Sequence, residues 1–327
     1  MRKYLVINLD GTLHPISVND RERLKKVGAR IFELKKYHSN IDNLLRSADA
    51  VLFTSTKIDS AFIGKLEKCR VIIRFGTGLD NIDVNAATQK GIMISRVVDF
   101  CTQEVSNHTL MLLLACSRKL KEFSSLLLSG KHVEDFSPMG SIEGQILGLI
   151  GFGKIAREVA RKAGVFGLKV VAYDPYVDKS YFSKYDVRKA SLNKLLTVSD
   201  YVSLHCPLNH ETYHLIGEEE LKLMKKTAYL INTSRGKLID EPALIKALKN
   251  KWIAGAGLDV FEKEPPDKDN PLLNMENVIC TAHYAYYSDR SIARLRKTVV
   301  DELIRVLSGK IPKNLYNPEV LKKIKLK

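Results

Sequence analysis

The chain has 327 residues and carries 52 Lys and Arg against 37 Asp and Glu, so its formal charge is +15. A chain of this length typically forms about two domains of roughly 150 residues each. Its hydrophobic fraction of 45% excludes wholesale disorder. The longest apolar run, Leu110–Cys116, is far shorter than the roughly 18 residues that a membrane span needs. We therefore expect a folded protein without a transmembrane helix.

Two features of the sequence bear on its compartment. The first residues, Met1–Tyr4, are not followed by an apolar segment with a small-residue cleavage site, so secretion is not expected. The cysteines are odd in number, scattered and without a CxxC pair: Cys69, Cys101, Cys116, Cys206 and Cys280. Such usage is typical of a reducing compartment, and we expect the protein to be cytoplasmic.

The positive charge has two interpretations. An isoelectric point near 9.4 is compatible with a nucleic acid or an acidic ligand as partner, or with a lysine-rich surface on an ordinary enzyme. About half of the excess lies in residues 290–327, which hold eleven Lys and Arg against three Asp and Glu. No helix-turn-helix, zinc or aromatic-interleaved basic motif accompanies this charge. We therefore favour a solvated helix face and tail, and expect no specific nucleic-acid partner.

Short β-branched segments alternate with amphipathic segments along the chain. The predicted strands are Tyr4–Leu9, Ala50–Thr54, Val71–Arg74, Ile146–Ile150, Lys169–Tyr173, Tyr201–Leu204, Ala228–Asn232, Gly255–Asp259 and Val278–Cys280. Helices are predicted between them, among others at Lys154–Ala163, Glu218–Lys225 and Pro242–Lys249. This alternation is typical of βαβ units whose parallel sheet is covered by helices on both faces, so we predict an α/β fold.

The end of the first predicted strand holds a motif with two interpretations. Asn8-Leu9-Asp10-Gly11 resembles a phosphatase motif whose first acidic residue is the nucleophile. Asn8 cannot form an aspartyl-phosphate, and no other segment supports that chemistry. We therefore interpret Asn8–Gly11 as a strand end followed by a turn.

Two helices mark the predicted crossings between domains. Thr102–Leu120 begins with a capping pattern and contains the apolar run Leu110–Cys116. We predict that this helix is buried on all sides, between two domains. The second crossing is predicted near Tyr287–Ser288, before a helix at Asp289–Leu307.

The strongest motif is a glycine-rich turn between a strand and a helix. The strand Ile146–Ile150 is followed by Gly151-Phe-Gly153-Lys-Ile-Ala156, which matches the GxGxxG/A pattern in its required context. Gly151 permits the tight turn, Gly153 lets the backbone approach a pyrophosphate, and Ala156 allows close packing of helix on strand. The helix N-terminus supplies N–H donors. We therefore predict a dinucleotide site.

A second strand predicts which dinucleotide is bound. Lys169–Tyr173 ends at Asp174, 18 residues beyond Ala156. A carboxylate at this point accepts hydrogen bonds from the ribose hydroxyls and repels a 2′-phosphate. We expect NAD(H) as the cofactor, with NADP(H) less favoured because of Asp174.

Polar side chains follow successive predicted strands in the same half of the chain. Arg235, Glu264 and His283 each lie beyond a strand end, where ligands bind in open α/β sheets. A histidine suits acid/base work near neutral pH, and Glu264 would fix its tautomer. Arg235 offers a planar fork to a carboxylate and a carbonyl oxygen, and Asp259 could accept from the nicotinamide. Each residue alone has a structural explanation, but together they indicate carbonyl reduction by hydride transfer.

The order of these motifs resembles the D-isomer-specific 2-hydroxyacid dehydrogenase family, over nearly the whole chain from about Val71. The segments that carry the resemblance are GFGKIA, AYD, HCPLN, NTSRG, LDVFEKEP and AH. The resemblance implies two doubly wound parallel-sheet domains. A Rossmann cofactor domain, residues 102–286, would be inserted into a flavodoxin-like substrate domain, residues 1–101 and 287–327. It also implies a homodimer with Val97–Leu128 as the interface.

The resemblance further implies roles for individual residues. The implied catalytic residues are Arg235, Glu264 and His283. The implied cofactor contacts are Thr77, Gly151, Phe152, Gly153, Lys154, Ile155, Asp174, Cys206, Pro207, Thr212, Thr233, Ser234, Arg235, Asp259, His283 and Tyr286. The implied substrate contacts are Arg74, Gly76, Thr77, Gly78, Arg235 and Tyr286, and no metal is expected.

The implied substrate loop and the segment after His283 each leave an alternative open. Gly76 and Gly78 can turn backbone N–H groups toward a carboxylate, while Arg74 either adds charge there or simply ends a buried strand. Ala282 replaces a proline that is common in the family. Tyr286 stands where C-terminal-binding proteins carry an aromatic residue, and it either lines the substrate pocket or packs at a hinge.

We expect an NAD-dependent enzyme that interconverts a small D-2-hydroxy acid and its 2-keto acid, with a substrate side chain that the sequence does not identify. The alternative is a non-catalytic, NAD(H)-sensing scaffold. The segment His283–Asp289 looks closest to the C-terminal-binding protein subgroup, which raises this alternative. That subgroup also retains the Arg, Glu and His set, so these residues do not distinguish an enzyme from a scaffold. We favour the enzyme.

Overall fold

The computed structural model describes residues 3–35, 41–130 and 139–324. Residues 1–2 and 325–327, on which the expectations about a leader and a basic tail partly rest, lie outside the described residues. The chain forms two compact units. Unit 1 comprises Met1–Phe100 and Ser288–Lys327, and unit 2 comprises Cys101–Tyr287. Unit 2 is thus inserted, along the chain, between the two segments of unit 1.

Strands and helices follow one another along the chain. The strands are β1 (Tyr4–Asn8), β2 (Ala29–Glu33), β3 (Ala50–Phe53), β4 (Val71–Arg74), β5 (Met93–Ser95), β6 (Ile146–Ile150), β7 (Lys169–Tyr173), β8 (Arg188–Lys189), β9 (Tyr201–Leu204), β10 (Tyr229–Asn232), β11 (Gly255–Leu258) and β12 (Val278–Cys280). The helices are α1 (Val18–Lys26), α2 (Asp42–Arg46), α3 (Ser60–Gly64), α4 (Val84–Gln89), α5 (Thr102–Ser117), α6 (Leu120–Leu128), α7 (Lys154–Val165), α8 (Lys179–Ser183), α9 (Leu192–Val198), α10 (Glu218–Leu223), α11 (Glu241–Lys249), α12 (Pro271–Asn274) and α13 (Asp289–Leu307).

Unit 1 is built on a five-stranded sheet in the order β2-β1-β3-β4-β5, and every neighbouring pair is parallel. This is the flavodoxin-like order, which reverses direction between β1 and β3. β3 is buried along its whole length, and β4 is buried from Val71 to Ile73. Burial on both faces explains why these strands read as continuous apolar runs in the sequence.

Unit 2 is built on a seven-stranded sheet in the order β12-β11-β10-β9-β6-β7-β8, again parallel throughout. Counted from β6, the order is that of the Rossmann fold, with β12 added at the edge. The order reverses between β6 and β9, so the loops that follow these two strands flank the switch point. The predicted fold class, two parallel-sheet α/β domains, is confirmed.

The prediction of one helix over Thr102–Leu120, buried on all sides, is wrong in two respects. α5 ends at Ser117, and Lys119 takes a left-handed conformation, with φ of +49°, before α6 begins. Met111 is 45% exposed although residues on either side of it are buried. α5 packs one face on β10 and β11, and this leaves the side that carries Met111 open.

The strands β2, β5 and β8 are absent from the sequence-based prediction. β2 pairs with β1 at the edge of its sheet, and its exposed residues alternate with buried or half-buried ones. β5 has three residues and β8 has two. Segments as short as β5 and β8 contain too few residues for an alternation of apolar and polar side chains to distinguish them from a loop.

The longest described helix has one apolar and one basic face. In α13, Leu295, Val299 and Leu303 are buried, whereas Arg290 and Lys297 are exposed. Part of the net charge therefore lies on a solvated helix face, as the sequence suggests. Among the described residues, no helix combines the length and the apolar character needed to cross a membrane.

Candidate active site

The glycine-rich turn connects β6 to α7 at the switch point of the larger sheet. Gly151 has a φ of +88°, and a Cβ placed on it would lie 2.6 Å from the backbone N of Cys206. A side chain at Gly151 would therefore collide with the loop that follows β9. Gly153 forms the N-cap of α7, and no atom lies within 4 Å of the position of its Cβ. Ala156 is fully buried, so the first turn of α7 packs closely on the sheet.

Asp174 is held at the end of β7 by backbone donors. Its Oδ2 accepts a hydrogen bond of 2.8 Å from Phe152 N, and its Oδ1 accepts one of 3.0 Å from Tyr176 N. The carboxylate is therefore tied to the glycine-rich turn. The Phe152 side chain is 1% exposed and stacks on Phe182 at 4.5 Å, so only its backbone is available at the surface of the turn.

The loops that follow β9 and β10 are joined by hydroxyl groups. Ser234 Oγ donates to the carbonyl oxygen of Cys206 at 2.8 Å, and Thr212 Oγ1 donates to that of Pro207 at 2.6 Å. Burial raises the pKa of the Cys206 thiol to about 12, so it stays protonated. Thr233 Oγ1 lies 2.9 Å from a threonine hydroxyl of α5. Ser234 thus joins the loop that follows β10 to the loop that follows β9, Thr212 closes a bond within the latter loop, and Thr233 contacts α5.

A close backbone approach positions the loop that carries Glu264. Arg235 donates from Nη1 to its neighbour's carbonyl oxygen and precedes a 3₁₀ turn, Gly236–Leu238. A Cβ on Gly236 would lie 1.9 Å from the carbonyl carbon of Phe261. Only glycine allows this contact, and Phe261 N in turn donates to Glu264 Oε1 at 3.2 Å. The loops that follow β10 and β11 are thereby packed directly on each other.

Glu264 and His283 form a hydrogen-bonded pair. His283 Nδ1 lies 2.6 Å from Glu264 Oε2, and the two side chains are 42% and 37% exposed. Burial alone would raise the pKa of Glu264, but the hydrogen bond and charge of His283, the Phe261 N–H and the charge of Arg235 together lower it. Glu264 is therefore ionised at neutral pH. With Nδ1 engaged, Nε2 of His283 is the ring nitrogen available for proton exchange.

Asp259 shapes the turn on which His283 sits. Its carboxylate is 1% exposed and accepts from Thr281 Oγ1 at 2.5 Å, Tyr284 N at 3.0 Å and Ala285 N at 2.9 Å. His283 itself has a left-handed φ of +56°, an uncommon conformation for a residue with a side chain. Sequence reasoning assigned Asp259 to the nicotinamide and missed this internal role, because such a role depends on which turns come together.

The aromatic residue after His283 packs on its ring. Tyr286 meets the imidazole edge to face, with ring centroids 6.4 Å apart and an interplanar angle of 84°. Burial raises the pKa of the Tyr286 phenol, so the hydroxyl stays a hydrogen-bond donor at neutral pH. This contact fixes one side of the His283 ring.

The expected substrate loop belongs to unit 1. Arg74, at the end of β4, donates from Nε to the carbonyl oxygen of Thr54 at 3.2 Å and from Nη1 to that of Gly78. Gly76 has a φ of +148°, and Thr77 Oγ1 donates to the carbonyl oxygen of Val97 at 2.8 Å. Arg74 therefore holds the glycine-rich loop in a defined shape.

The structure also gathers three groups that the sequence left apart. Ligand atoms of His214, Asp240 and Glu262 lie within 4.8 Å of one another. Asp240 caps α11 by accepting from Ala243 N, and Glu262 accepts from Glu241 N. His214 Nε2 is 2.6 Å from the Glu262 carboxylate. Capping of a helix N-terminus, with a histidine beside the two carboxylates, accounts for this cluster.

The glycine-rich turn supplies a first test. We expect Gly151→Ala to weaken NADH binding at least about tenfold, because its Cβ collides with the backbone at residue 206 and the residue has a positive φ. Gly164→Ala in α7 is the matched control, since its Cβ meets no atom within 4 Å. Fluorescence titration with NADH measures both variants. If Gly151→Ala and Gly164→Ala bound NADH with equal affinity, the collision at Gly151 would have no bearing on the dinucleotide site.

The pair of Glu264 and His283 supplies a second test. Because the folded-state pKa of Glu264 lies below its ordinary value of 4.5, its ionised form stabilises the fold above that pH. We expect Glu264→Gln to lower the free energy of unfolding near neutral pH. The deficit should disappear as the pH falls through the lowered pKa. Urea unfolding over a pH series measures this effect, with exposed Lys263→Ala as the control. A deficit that does not change with pH would contradict the assignment.

Several known proteins are similar to this chain in sequence and in fold. A family model described as the D-isomer specific 2-hydroxyacid dehydrogenase, NAD binding domain, matches residues 110–285. A glyoxylate reductase of Korarchaeum cryptofilum is 41% identical over 283 residues, which are 85% of each chain. A D-3-phosphoglycerate dehydrogenase of Methanocaldococcus jannaschii is 39% identical over 275 residues, which are 84% of this chain and 52% of that protein.

A solved structure extends the similarity to the whole fold. D-Lactate dehydrogenase from Aquifex aeolicus, complexed with NAD and lactic acid, matches with a TM-score of 0.82 and 30% identity, over 93% of this chain and 96% of that chain. The family model and the relatives agree on one class of enzyme, and the family model, an NAD-binding domain, supports a cofactor of the NAD(H) or NADP(H) type. The chain therefore belongs to the D-isomer-specific 2-hydroxyacid dehydrogenase family and is an oxidoreductase.

Proposed function

We propose that this protein interconverts a D-2-hydroxy acid and its 2-keto acid by hydride transfer with NAD(H). The observation that carries the proposal is the 2.6 Å contact between His283 Nδ1 and Glu264 Oε2, with the charge of Arg235 acting on the same carboxylate. The three side chains follow β10, β11 and β12, which are neighbours in one parallel sheet. An acid/base pair beside a guanidinium suits the reduction of a carbonyl that stands next to a carboxylate.

Residues of unit 2 fit a dinucleotide. The space above Gly153, at the N-terminus of the 12-residue helix α7, suits a pyrophosphate that accepts backbone N–H bonds. Asp174, held at the end of β7, would accept from the ribose hydroxyls. The hydroxyls of Thr233 and Ser234 lie in the adjoining loop. Bound NADH would supply the hydride.

His283 is proposed as the acid and base. In the direction of reduction, its Nε2 would give a proton to the carbonyl oxygen of the keto acid, and bound NADH would supply the hydride that C2 needs, so that the 2-hydroxy acid forms. In the reverse direction Nε2 takes the hydroxyl proton. Ionised Glu264 holds the Nδ1 proton and stabilises the imidazolium form. Arg235 would polarise the carbonyl and hold the carboxylate of the substrate.

We assign the remaining substrate contacts to the loop that follows β4. Arg74 and the backbone N–H groups of Gly76 and Gly78 would bind the substrate carboxylate, and Thr77 would contact the cofactor. Tyr286 keeps its hydroxyl proton and would line the pocket for the substrate side chain. Relatives named for glyoxylate, 3-phosphoglycerate and lactate support a small 2-keto acid as the substrate.

Asp174 supports NAD(H) as the preferred cofactor. Its carboxylate is fixed by Phe152 N and Tyr176 N, so it cannot easily turn away from an added 2′-phosphate. Repulsion between the two anions would weaken NADP(H) binding.

The five cysteines are free thiols, in keeping with a reducing cytoplasm.

We also propose that the protein forms a homodimer through α5. An apolar groove of about 710 Å³ runs along this helix and is lined by Leu110, Met111, Leu114, Leu120, Val165 and Phe166. Met111 is 45% exposed and Val165 is 82% exposed, which is unusual for side chains that stay in water. A second copy of the same chain is the partner that a symmetric apolar interface favours.

Turnover of a 2-keto acid tests the proposed activity. We expect the purified protein to oxidise NADH with at least one of glyoxylate, hydroxypyruvate and pyruvate, and to be slower with NADPH. His283→Ala should lose at least about 10³-fold in turnover, because the group that exchanges a proton with the substrate oxygen is removed, and should still bind NADH. No turnover on a wide panel, by a protein that binds NADH, would contradict the proposal.

Light scattering tests the proposed dimer. We expect the native protein to have twice the mass of one 36.9 kDa chain. The double variant Met111→Asp and Val165→Asp should have the mass of one chain, because charges would be buried in an apolar interface. Val18→Asp, at an exposed position of α1, is the control. A native mass of one chain, or a double variant that stays dimeric, would argue against this interface.

A further inference from the structure

The carboxyl end of β1 carries a buried group that the proposed chemistry does not use. Asp10 is 9% exposed and follows β1 by two residues. Its Oδ2 accepts from the backbone N of Thr54 at 2.6 Å, of Ser55 at 3.2 Å and of Thr56 at 3.4 Å. Its Oδ1 accepts from the hydroxyls of Ser55 at 3.2 Å and Thr56 at 3.1 Å. Donors of one three-residue segment therefore converge on one carboxylate.

The place of this contact in the sheet is informative. Thr54–Thr56 directly follows β3, and β1 and β3 are the strands between which the order of the sheet reverses. Successive backbone N–H groups that point to one place form an anion-binding nest, and the switch point is where ligands bind in open α/β sheets. Here Asp10 fills the nest. A substrate anion therefore cannot use these N–H groups and must bind elsewhere along the same edge.

The segment that Asp10 holds from one side is held by Arg74 from the other. Arg74 Nε donates to the carbonyl oxygen of Thr54 at 3.2 Å, and its Nη1 donates to that of Gly78. Asn81 Nδ2 donates to the carbonyl oxygens of Thr54 and Thr56, each at 3.1 Å. Movement of Thr54–Thr56 would therefore displace the guanidinium and, with it, the glycine-rich loop.

We propose that Asp10 is a positioning residue for substrate binding, which acts by filling the nest of Thr54–Thr56 and so fixing the segment against which Arg74 is oriented. The inference rests on the proposed function, in which Arg74 and the glycine-rich loop bind the substrate carboxylate. A carboxylate suits this nest best, because its negative charge strengthens the bonds from the three N–H groups and both of its oxygens accept. An asparagine would lose that charge and would turn an NH₂ group toward the hydroxyls of Ser55 and Thr56, which would then have to accept.

Steady-state kinetics of matched variants test the proposal. We expect Asp10→Asn to raise KM for the 2-keto acid about tenfold, with kcat changed less than about threefold and NADH affinity unchanged. Asp49→Asn is the control, because Asp49 accepts from Leu5 N at the opposite end of β3 and loses the same charge. It should leave KM for the keto acid unchanged.

Hydrogen exchange supplies a readout that does not depend on activity. In Asp10→Asn, peptides that cover residues 54–58 should exchange about tenfold faster than in the native protein, and in Asp49→Asn they should not. If Asp10→Asn does not fold, the double variant Ser55→Ala and Thr56→Val replaces it. That variant keeps the charge and the backbone donors, and KM should rise about threefold.

The outcomes separate this inference from the function on which it rests. Faster exchange at residues 54–58 together with a raised KM, both confined to Asp10→Asn, supports it. Unchanged exchange, faster exchange with an unchanged KM, or an equal rise of KM in Asp49→Asn overturns it. If the native protein turns over no keto acid, the proposed function fails and the role of Asp10 in substrate binding fails with it. Hydrogen exchange then still reports separately whether Asp10 holds the segment.

Discussion

Parallel pairing of the strands is the constraint on which the rest of the molecule depends. All neighbouring strands in both sheets run in the same direction, so their carboxyl ends lie along one edge of each sheet. In unit 2 this brings together loops that begin near residues 151, 205, 233, 259 and 281, although more than a hundred residues of chain separate the first from the last. Strand interiors such as Ala50–Phe53 are buried and apolar. Polar chemistry is therefore confined to the strand ends.

Three aspartates at these ends fix one loop to another. Asp10 holds the segment after β3, Asp174 holds the glycine-rich turn, and Asp259 holds the turn that carries His283. In each case a carboxylate accepts backbone N–H bonds, which are stronger than bonds between neutral groups. Such bonds offset the cost of the left-handed conformation of His283. Asp174 and Asp259, which the sequence assigns to the cofactor, thus also hold backbone N–H groups within the protein.

The net charge has little bearing on this arrangement. Exposed basic residues of α13 lie on a helix face, and net charge governs solubility and association more than it governs fold. What matters at the candidate site is local. The hydrogen bond and charge of His283, together with the Phe261 N–H and the charge of Arg235, lower the pKa of Glu264 although burial opposes this. Exposed charges elsewhere on the surface are screened by water and salt.

The fold class and the main candidate residues are predictable from the sequence alone. Continuous apolar strands and the GxGxxA turn have local signatures, because burial on both faces and a tight turn each restrict residue type where they occur. The sequence did not reveal the edge strands β2, β5 and β8, the end of α5 at Ser117, or the open side of that helix. The contact of Asp10 with a nest 44 residues further along the chain depends on the folding of the whole sheet, and the folded structure was needed to find it. The same holds for the close approach of Gly236 to the backbone of Phe261. These contacts join distant segments, and no local pattern records which strand ends become neighbours.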